Sequence, residues 1–376
     1  MQNPASRFTR RDLLAGTLGA GLVTAACTRP LATRYFGWLL VASAAEKAVT
    51  VADLSEFRRI TTIPLGETPS QLLRSGDRIF ATCPQAKQLV EIDTAQLRPG
   101  RRLTTAGQIV TAAVAGSGHL VLATAQSAKL VVVDPKSAAV TQRISLPFEP
   151  AALDLAGDVV AVSSQSSGQI LRVSLKTGAV LGTTMLAEPC GSMRFRRDGQ
   201  LILAGLPNSK QIVTVDAQSG ALLARLPLRF APGRFCFNAD GGQMFVTATG
   251  EDAVAIVSPF QSQIDQTIVA GRKPYGMAVS LTRNLLLITN PESGDLTILD
   301  IETRRLASSV HIGGEPGEVV LTPDEEYALV LSRDAGDVAV IRMKTVLDRA
   351  IRTKPILTMF PMGPSPQSAL VIPREA

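Results

Sequence analysis

Five aspartates, Asp53, Asp93, Asp134, Asp216 and Asp300, recur along the chain, each closing an apolar run. Paired carboxylates can act as general acid and base, but a residue that returns every forty-odd positions marks a structural unit rather than a unique site. An Asp in such a place accepts hydrogen bonds from backbone N–H groups two residues on, so these five are read as turn formers. Other chemistry finds few residues to carry it. The two histidines, His119 and His311, lie in different parts of the chain, so a His-based triad or a His-ligated metal or haem is not expected. There is no G-x-S-x-G, no H-E-x-x-H and no P-loop. Cys83, Cys190 and Cys236 lack C-x-x-C spacing, which argues against zinc or dithiol chemistry. They are read as buried thiols, and one disulfide among them stays open if the compartment is oxidising. No metal or cofactor is expected.

A second set of candidates does not recur. Glu149, Glu188, Arg234, Lys273, Tyr275 and Glu315 sit in Pro- and Gly-containing connectors: "FEPA", "AEPCG", "RFAPGRF", "GRKPYG" and "GEPGE". Charges of both signs beside one tyrosine could form a polar pocket for a small ligand or a peptide end. Solvated turns are the plainer reading of the same residues. Nucleic acid is not expected as a partner. The net charge is +6, of which Arg7, Arg10, Arg11 and Asp12 supply +2, and aromatics are too few for a base-stacking surface.

The first thirty residues read as an address. Arg10 and Arg11 precede an apolar stretch from Leu13 to Ala26, which is short for a membrane span but suits a signal sequence. The run "TRRDLL" resembles a twin-arginine export signal, with Leu13 and Ala15 where Phe and Lys are usual. "VTAAC" resembles a bacterial lipobox, with Thr24 where Leu is usual. That resemblance implies a signal peptide over 1–26, lipid on Cys27 and a membrane-anchored linker over 27–37. Thr28 follows the Cys in place of a retention Asp, which implies the outer membrane where that sorting rule operates. Acyl chains contribute about 0.8 kcal/mol per buried methylene, so a multiply acylated Cys27 would anchor firmly. The expected location is the periplasmic face of a membrane in the bacterial cell envelope.

The elements that must position the candidates repeat. "VTVAD", "LVEID", "VVVD", "ILRVS", "IVTVD", "VAIVS", "LTILD" and "VAVIR" end at residues 53, 93, 134, 174, 216, 258, 300 and 342, giving spacings of 40, 41, 40, 42, 42, 42 and 42. Around each lie four strand candidates, rich in β-branched residues and separated by Pro/Gly/Asn/Asp turns. A short turn of helix around 344–350 is the one helical candidate. Four strands every 40 to 45 residues predict an all-β fold, a β-propeller of four-stranded blades over residues 38–376. Repeat one lacks a first strand, and "SPQSALVIP" at the C-terminus is a first strand with nothing after it. The C-terminal strand near Ser368–Ile372 is therefore expected to complete the first blade, giving eight blades and a closed ring without open edges. A monomer is expected.

The run "LLLITNPESGDLTILDIETRRLASSVHIGGEPGEVVLTPDEEYALVLS" resembles the YVTN repeat. The likeness is best over 232–342; the first four repeats share the period and the strand pattern. It implies a propeller, for which seven blades would be the commoner number. Similar propellers serve as binding scaffolds, lactonases and redox-enzyme domains. The reading taken is an anchored binding propeller without catalysis. An enzyme of the lactonase or lyase type, with its site in the funnel at one mouth of the channel, is the alternative. A tetrapyrrole or quinone site would lack axial ligands. Replacement of Cys27 by Ser should move the protein from the membrane to the soluble fraction. Unchanged fractionation, with no acyl label on the wild-type chain, would refute the anchor.

Overall fold

A computed structural model describes residues 35–346 and 355–374. The expected signal peptide, Cys27 and most of the linker lie outside the described residues. The protein is an eight-bladed β-propeller of eight four-stranded antiparallel sheets; seven are simple meanders, and the eighth takes its first strand from the other end of the chain. Blade 1 joins residues 366–373 to 37–64, and blades 2 to 8 span 71–104, 108–145, 150–185, 192–227, 231–269, 277–311 and 316–361. All eight third strands end where the repeat placed them, at Asp53, Asp93, Asp134, Ser174, Asp216, Ser258, Asp300 and Arg342. Among the described residues helix is confined to one turn, Met343–Val346. Among the described residues no helix is long and apolar enough to cross a membrane.

The alternation of each strand explains the ring. In Leu285–Asn290 and Asp295–Asp300, the two middle strands of blade 7, Leu285, Leu287, Leu296 and Ile298 pack against blade 8. Leu286, Ile288 and Leu299 face the other way, onto Phe245, Val254 and Ile256 of blade 6. Successive side chains of a strand point to opposite faces, and here both faces are covered, so the middle strands read as unbroken apolar runs. Eight apolar clusters fill the eight gaps between neighbouring blades.

Local chemistry repeats with the blades. Asp53 Oδ1 accepts from Ser55 N at 2.7 Å, Asp134 Oδ1 from Lys136 N at 3.0 Å, Asp216 Oδ1 from Ser219 N at 2.6 Å and Asp300 Oδ1 from Thr303 N at 2.8 Å. The recurrent acids are turn formers. Between the third and fourth strands of every blade the pairing slips near the start of the outer strand. A bulge strengthens local twist, and its return in all eight blades makes it part of the blade's design. In several blades a hydroxyl on the second strand receives a first-strand N–H: Thr82 from Gln71 at 3.2 Å, Ser163 from Ala152 at 3.1 Å, Thr247 from Arg234 at 2.9 Å and Thr289 from Gly276 at 2.8 Å.

Closure follows the sequence expectation. Pro366–Pro373 pairs antiparallel with Gly37–Ser43, placing Trp38 opposite Ile372 and Val41 opposite Ala369. Ala369 enters the cluster shared with blade 8, whereas Ile372 enters the one shared with blade 2. Leu72 N of blade 2 donates to Ser368 Oγ at 3.1 Å. Deleting residues 364–376 should therefore expose both flanks of blade 1 and sharply lower the melting temperature. The milder Ile372→Ala should cost about 2–5 kcal/mol in denaturant unfolding, the range for a buried aliphatic truncation. A deletion variant that melts like the full chain would refute this closure.

Candidate functional site

Two kinds of segment ring the same mouth of the channel. One is the connector from each fourth strand to the next blade; the other is the turn between second and third strands. Hydrogen bonds join them: Gln165 N to Glu149 O at 2.9 Å, Arg333 N to Glu315 O at 2.9 Å and Tyr275 N to Thr289 O at 2.9 Å. This shared rim explains the fate of the six candidates. Arg234, Lys273 and Tyr275 line one cleft of about 600 Å³. Glu149, Glu188 and Glu315 do not join them. Glu149 accepts from Gln126 N at 2.8 Å, and Glu188 accepts from Asn208 N at 2.7 Å and Ser209 N at 3.1 Å. Those carboxylates hold turns, as turn residues would. Glu315 offers its backbone N–H to Asp334 Oδ1 at 2.9 Å.

The cleft is built on close backbone approach. A Cβ on Gly276 would lie 2.3 Å from Gly317 O, and Thr289 Oγ1 donates to that same carbonyl at 2.6 Å. Blades 7 and 8 thus meet without an intervening side chain, which fixes Tyr275 on the rim. Gly317 likewise leaves room for Arg333, whose side chain would crowd a Cβ there. Arg234 and Arg333 then flank the tyrosine, with guanidinium carbons 3.8 and 3.9 Å from its ring centroid. Such cation–π contacts strengthen as they are desolvated. Arg234 also donates to the Tyr275 hydroxyl and reaches past blade 7 to Glu318 of blade 8, 2.7 Å away.

The charges do not cancel. Glu318 pairs with Arg234, while Glu292 is shared by Lys273 at 3.0 Å and Arg272 at 3.5 Å. Arg333 has no ion pair among the described residues. Asp252 and Asp334 lie beside the cleft and accept backbone N–H groups, but the lining itself holds three cations, Arg234, Lys273 and Arg333, and no carboxylate. The rest of the lining includes Pro207, Pro232, Pro274, Pro291 and Ala248, so cations edge an apolar wall. Below it lies a channel pocket of about 320 Å³ that shares Gly191, Ser192 and Arg234 with the cleft. Arg194 and Cys236 line this inner pocket. Asp154, next to Arg194, is pushed above the usual carboxylate range by burial, against the opposing pull of Arg194 and the Phe195 N–H.

Arg333 follows a second strand, outside the connectors that supply the sequence candidates. The histidines stay apart: His119 pairs with Ser117 in blade 3, and His311 with Asp295 in blade 7. Among the described residues no group of three or more His, Cys, Asp or Glu is placed to hold a metal ion. Cys83, Cys190 and Cys236 are three separate free thiols, which settles the disulfide left open above.

The fold and this mouth define an eight-bladed propeller with a cationic, apolar-walled cleft. No family model matches the chain. A curated relative, the seven-bladed β-propeller protein Rv1057 of Mycobacterium tuberculosis, is 23% identical over 158 residues, 40% of this chain and 37% of that protein. The match thus spans little more than a third of that relative's length. Among solved structures, dihydro-haem d1 dehydrogenase NirN in complex with DHE superposes with a TM-score of 0.75 at 16% identity, over 89% of this chain and 74% of that one. Kuenenia stuttgartiensis hydrazine synthase gives 0.56 at 18% identity, over 73% and 95%. At such identities the likeness is one of fold.

Burial raises the Cys83 and Cys236 thiols, each to about 11. Because the folded values lie above the ordinary 9.0, the protonated folded form is favoured. The associated stability is fully present below pH 9 and lost as pH rises towards 11. Cys83, 0% exposed, should resist iodoacetamide at pH 8 in the native protein and label readily once unfolded. Rapid native labelling of Cys83 would contradict its burial as a neutral thiol.

Proposed function

We propose that this chain is an exported, lipid-anchored propeller of the bacterial cell envelope, of the YVTN-like kind, that binds an amphipathic organic anion at its channel mouth without transforming it. The observation that carries the reading is the Tyr275 ring held between the guanidinium groups of Arg234 and Arg333 on an apolar-walled cleft. Guanidinium groups present planar, paired donors suited to carboxylate, phosphate or sulfonate. Among the described residues Arg333 has no carboxylate partner to release before a ligand arrives. The proline-rich wall would receive the ligand's apolar body, in the usual pattern of an apolar site with a few convergent polar groups.

Binding is favoured over the lactonase or lyase alternative because the rim brings together cations and an aromatic ring rather than an acid–base pair. Two of the acids expected there, Glu149 and Glu188, are occupied by backbone N–H groups. The export and anchoring parts of the reading rest on "TRRDLL", on "VTAAC" and on Cys27.

Anilinonaphthalene sulfonate, an aromatic ring system bearing one anionic group, is a suitable first probe. It should bind saturably with enhanced fluorescence. Arg333→Ala should weaken binding about tenfold, equivalent to about 1.4 kcal/mol, while Arg58→Ala, distant from the cleft, leaves it unchanged. Equal affinity for the wild type and Arg333→Ala, or for a probe lacking the sulfonate, would refute the anion site.

A further inference from the structure

The two ends of the propeller differ in what they expose. Among the described residues thirteen large apolar side chains stand in solvent. Nine of them lie at the end opposite the mouth, in its turns or within the first two residues of an outer strand, and two lie at the mouth end. Phe36 is 74% exposed, Leu281 61% and Phe260 50%, all outside regular strands, while Leu181, Leu223 and Leu306 begin outer strands. Single exposed apolar residues are ordinary. Nine gathered at one end of a ring are not, and such a surface marks an interaction.

What covers it is indicated by where the described chain begins. Gly37 pairs with Pro373 at the end of the closing strand and accepts from Leu54 N at 3.0 Å, in the turn after the third strand of blade 1. The other end of that same strand meets the mouth, where Ala44 N donates to Ser365 O at 3.1 Å. Phe36 and Tyr35 therefore sit at the apolar end. Asp324 and Arg74, which influence the Tyr35 hydroxyl, belong to that end as well. Cys27 precedes Tyr35 by eight residues, a span of about 29 Å at full extension. That span brings Cys27 within reach of the apolar end, but it exceeds the about 20 Å length of a six-residue strand, so the orientation must come from the exposed side chains rather than from the tether.

We propose that this end of the propeller rests against the bilayer, its exposed apolar side chains seated in the interface, so that the cationic cleft faces away from the membrane. The inference rests on lipidation of Cys27. The lipid supplies the anchor and raises the local concentration of the weaker contact; the apolar end supplies the orientation. Asp198, one of the acids at that end, is paired with Arg196 at 2.7 Å, which lessens its repulsion from a bilayer. Because the contact is apolar, it should change little with ionic strength, unlike attachment through basic residues.

Trp38, the chain's one tryptophan, lies two residues from Phe36 and reports on this end. The test uses the full lipidated protein in phosphatidylcholine vesicles, with and without brominated acyl chains. Flotation reads the anchor, and quenching reads the orientation. The wild type should float and its Trp38 emission fall about twofold with brominated lipid, as expected for a residue at the headgroup–acyl boundary. In Trp38→Phe/Val269→Trp, the reporter sits at the mouth end on a residue that is 83% exposed, and it should stay unquenched. Phe36→Ser/Phe260→Ser/Leu281→Ser should float equally, keep its melting temperature and lose most of the Trp38 quenching. A chain that fails to float overturns the anchor and this proposal with it. A chain that floats with Trp38 unquenched, or with both reporters quenched alike, overturns the orientation and leaves the anchor standing. Concentration-dependent dimers abolished by the triple substitution would assign the end to a second copy of the chain and likewise overturn it.

Discussion

Each blade of this protein is apolar on both faces, and neither face can be left to water. A fully buried Leu, Ile or Val is worth about 1.5–3 kcal/mol relative to exposure, and each gap between blades buries several. A single four-stranded sheet could cover only one side of itself by folding. The ring solves this by making every blade both wall and neighbour, but only if the last blade meets the first. That is why one strand of blade 1 comes from the opposite end of the chain. Polar links add specificity to the apolar gaps. Glu325 of blade 8 accepts from Ser280 Oγ at 2.6 Å, Leu281 N at 2.8 Å and Thr282 N at 3.0 Å of blade 7. Burial alone would raise its carboxyl, but these donors hold it below the ordinary value. Arg172 of blade 4, 2% exposed, donates to Ala217 O and Gln218 O of blade 5 at 2.8 and 2.6 Å.

This constraint decides where function can reside. The middle strands are committed to packing and the outer strands to the rim of the ring, so variation is tolerated at the innermost positions and in the turns. The cleft is drawn from those places: Arg234 from the first strand of blade 6, Tyr275 from a connector, Arg333 from a turn. The rigid sheets beneath fix the spacing of the two guanidinium groups, and Gly276 permits the backbone approach that holds the ring between them. A site carried on scaffolded loops is preorganised at little entropic cost.

Period and alternation made the blades, their boundaries and the closure legible in the sequence, because each is a local pattern with one compact solution. The site was only half legible. Arg234, Lys273 and Tyr275 could be found because connectors between blades must gather at one mouth. Arg333 was missed because a turn between second and third strands looks local until the ring is closed, when it stands beside connectors of the neighbouring blade. Glu149 and Glu188 misled for the complementary reason: a carboxylate near a Pro-Gly turn gives no sign in sequence of the N–H groups it will meet. The proposed lipid anchor rests on sequence alone, because Cys27 lies outside the described residues.

Repetition itself separates structural residues from functional ones. The recurrent aspartates do the same work in blade after blade, and their chemistry ends in the turn. The cleft residues depart from the repeat. The residue following the second strand is Ala44, Pro84, Gln126, Gln165, Pro207, Gly250 and Pro291 in blades 1 to 7, and Arg333 in blade 8 alone is a cation. The first-strand residue whose N–H meets the second-strand hydroxyl is Gln71, Ala152 or Gly276 elsewhere and Arg234 in blade 6. Neither arginine is needed to build a blade, since the other blades do without one at those places. Two such departures, in blades 6 and 8, converge on the connector of blade 7 that lies between them. Arg234 also ties blade 6 to blade 8 through Glu318, and the ligand binding proposed above would account for the convergence of both arginines on one tyrosine.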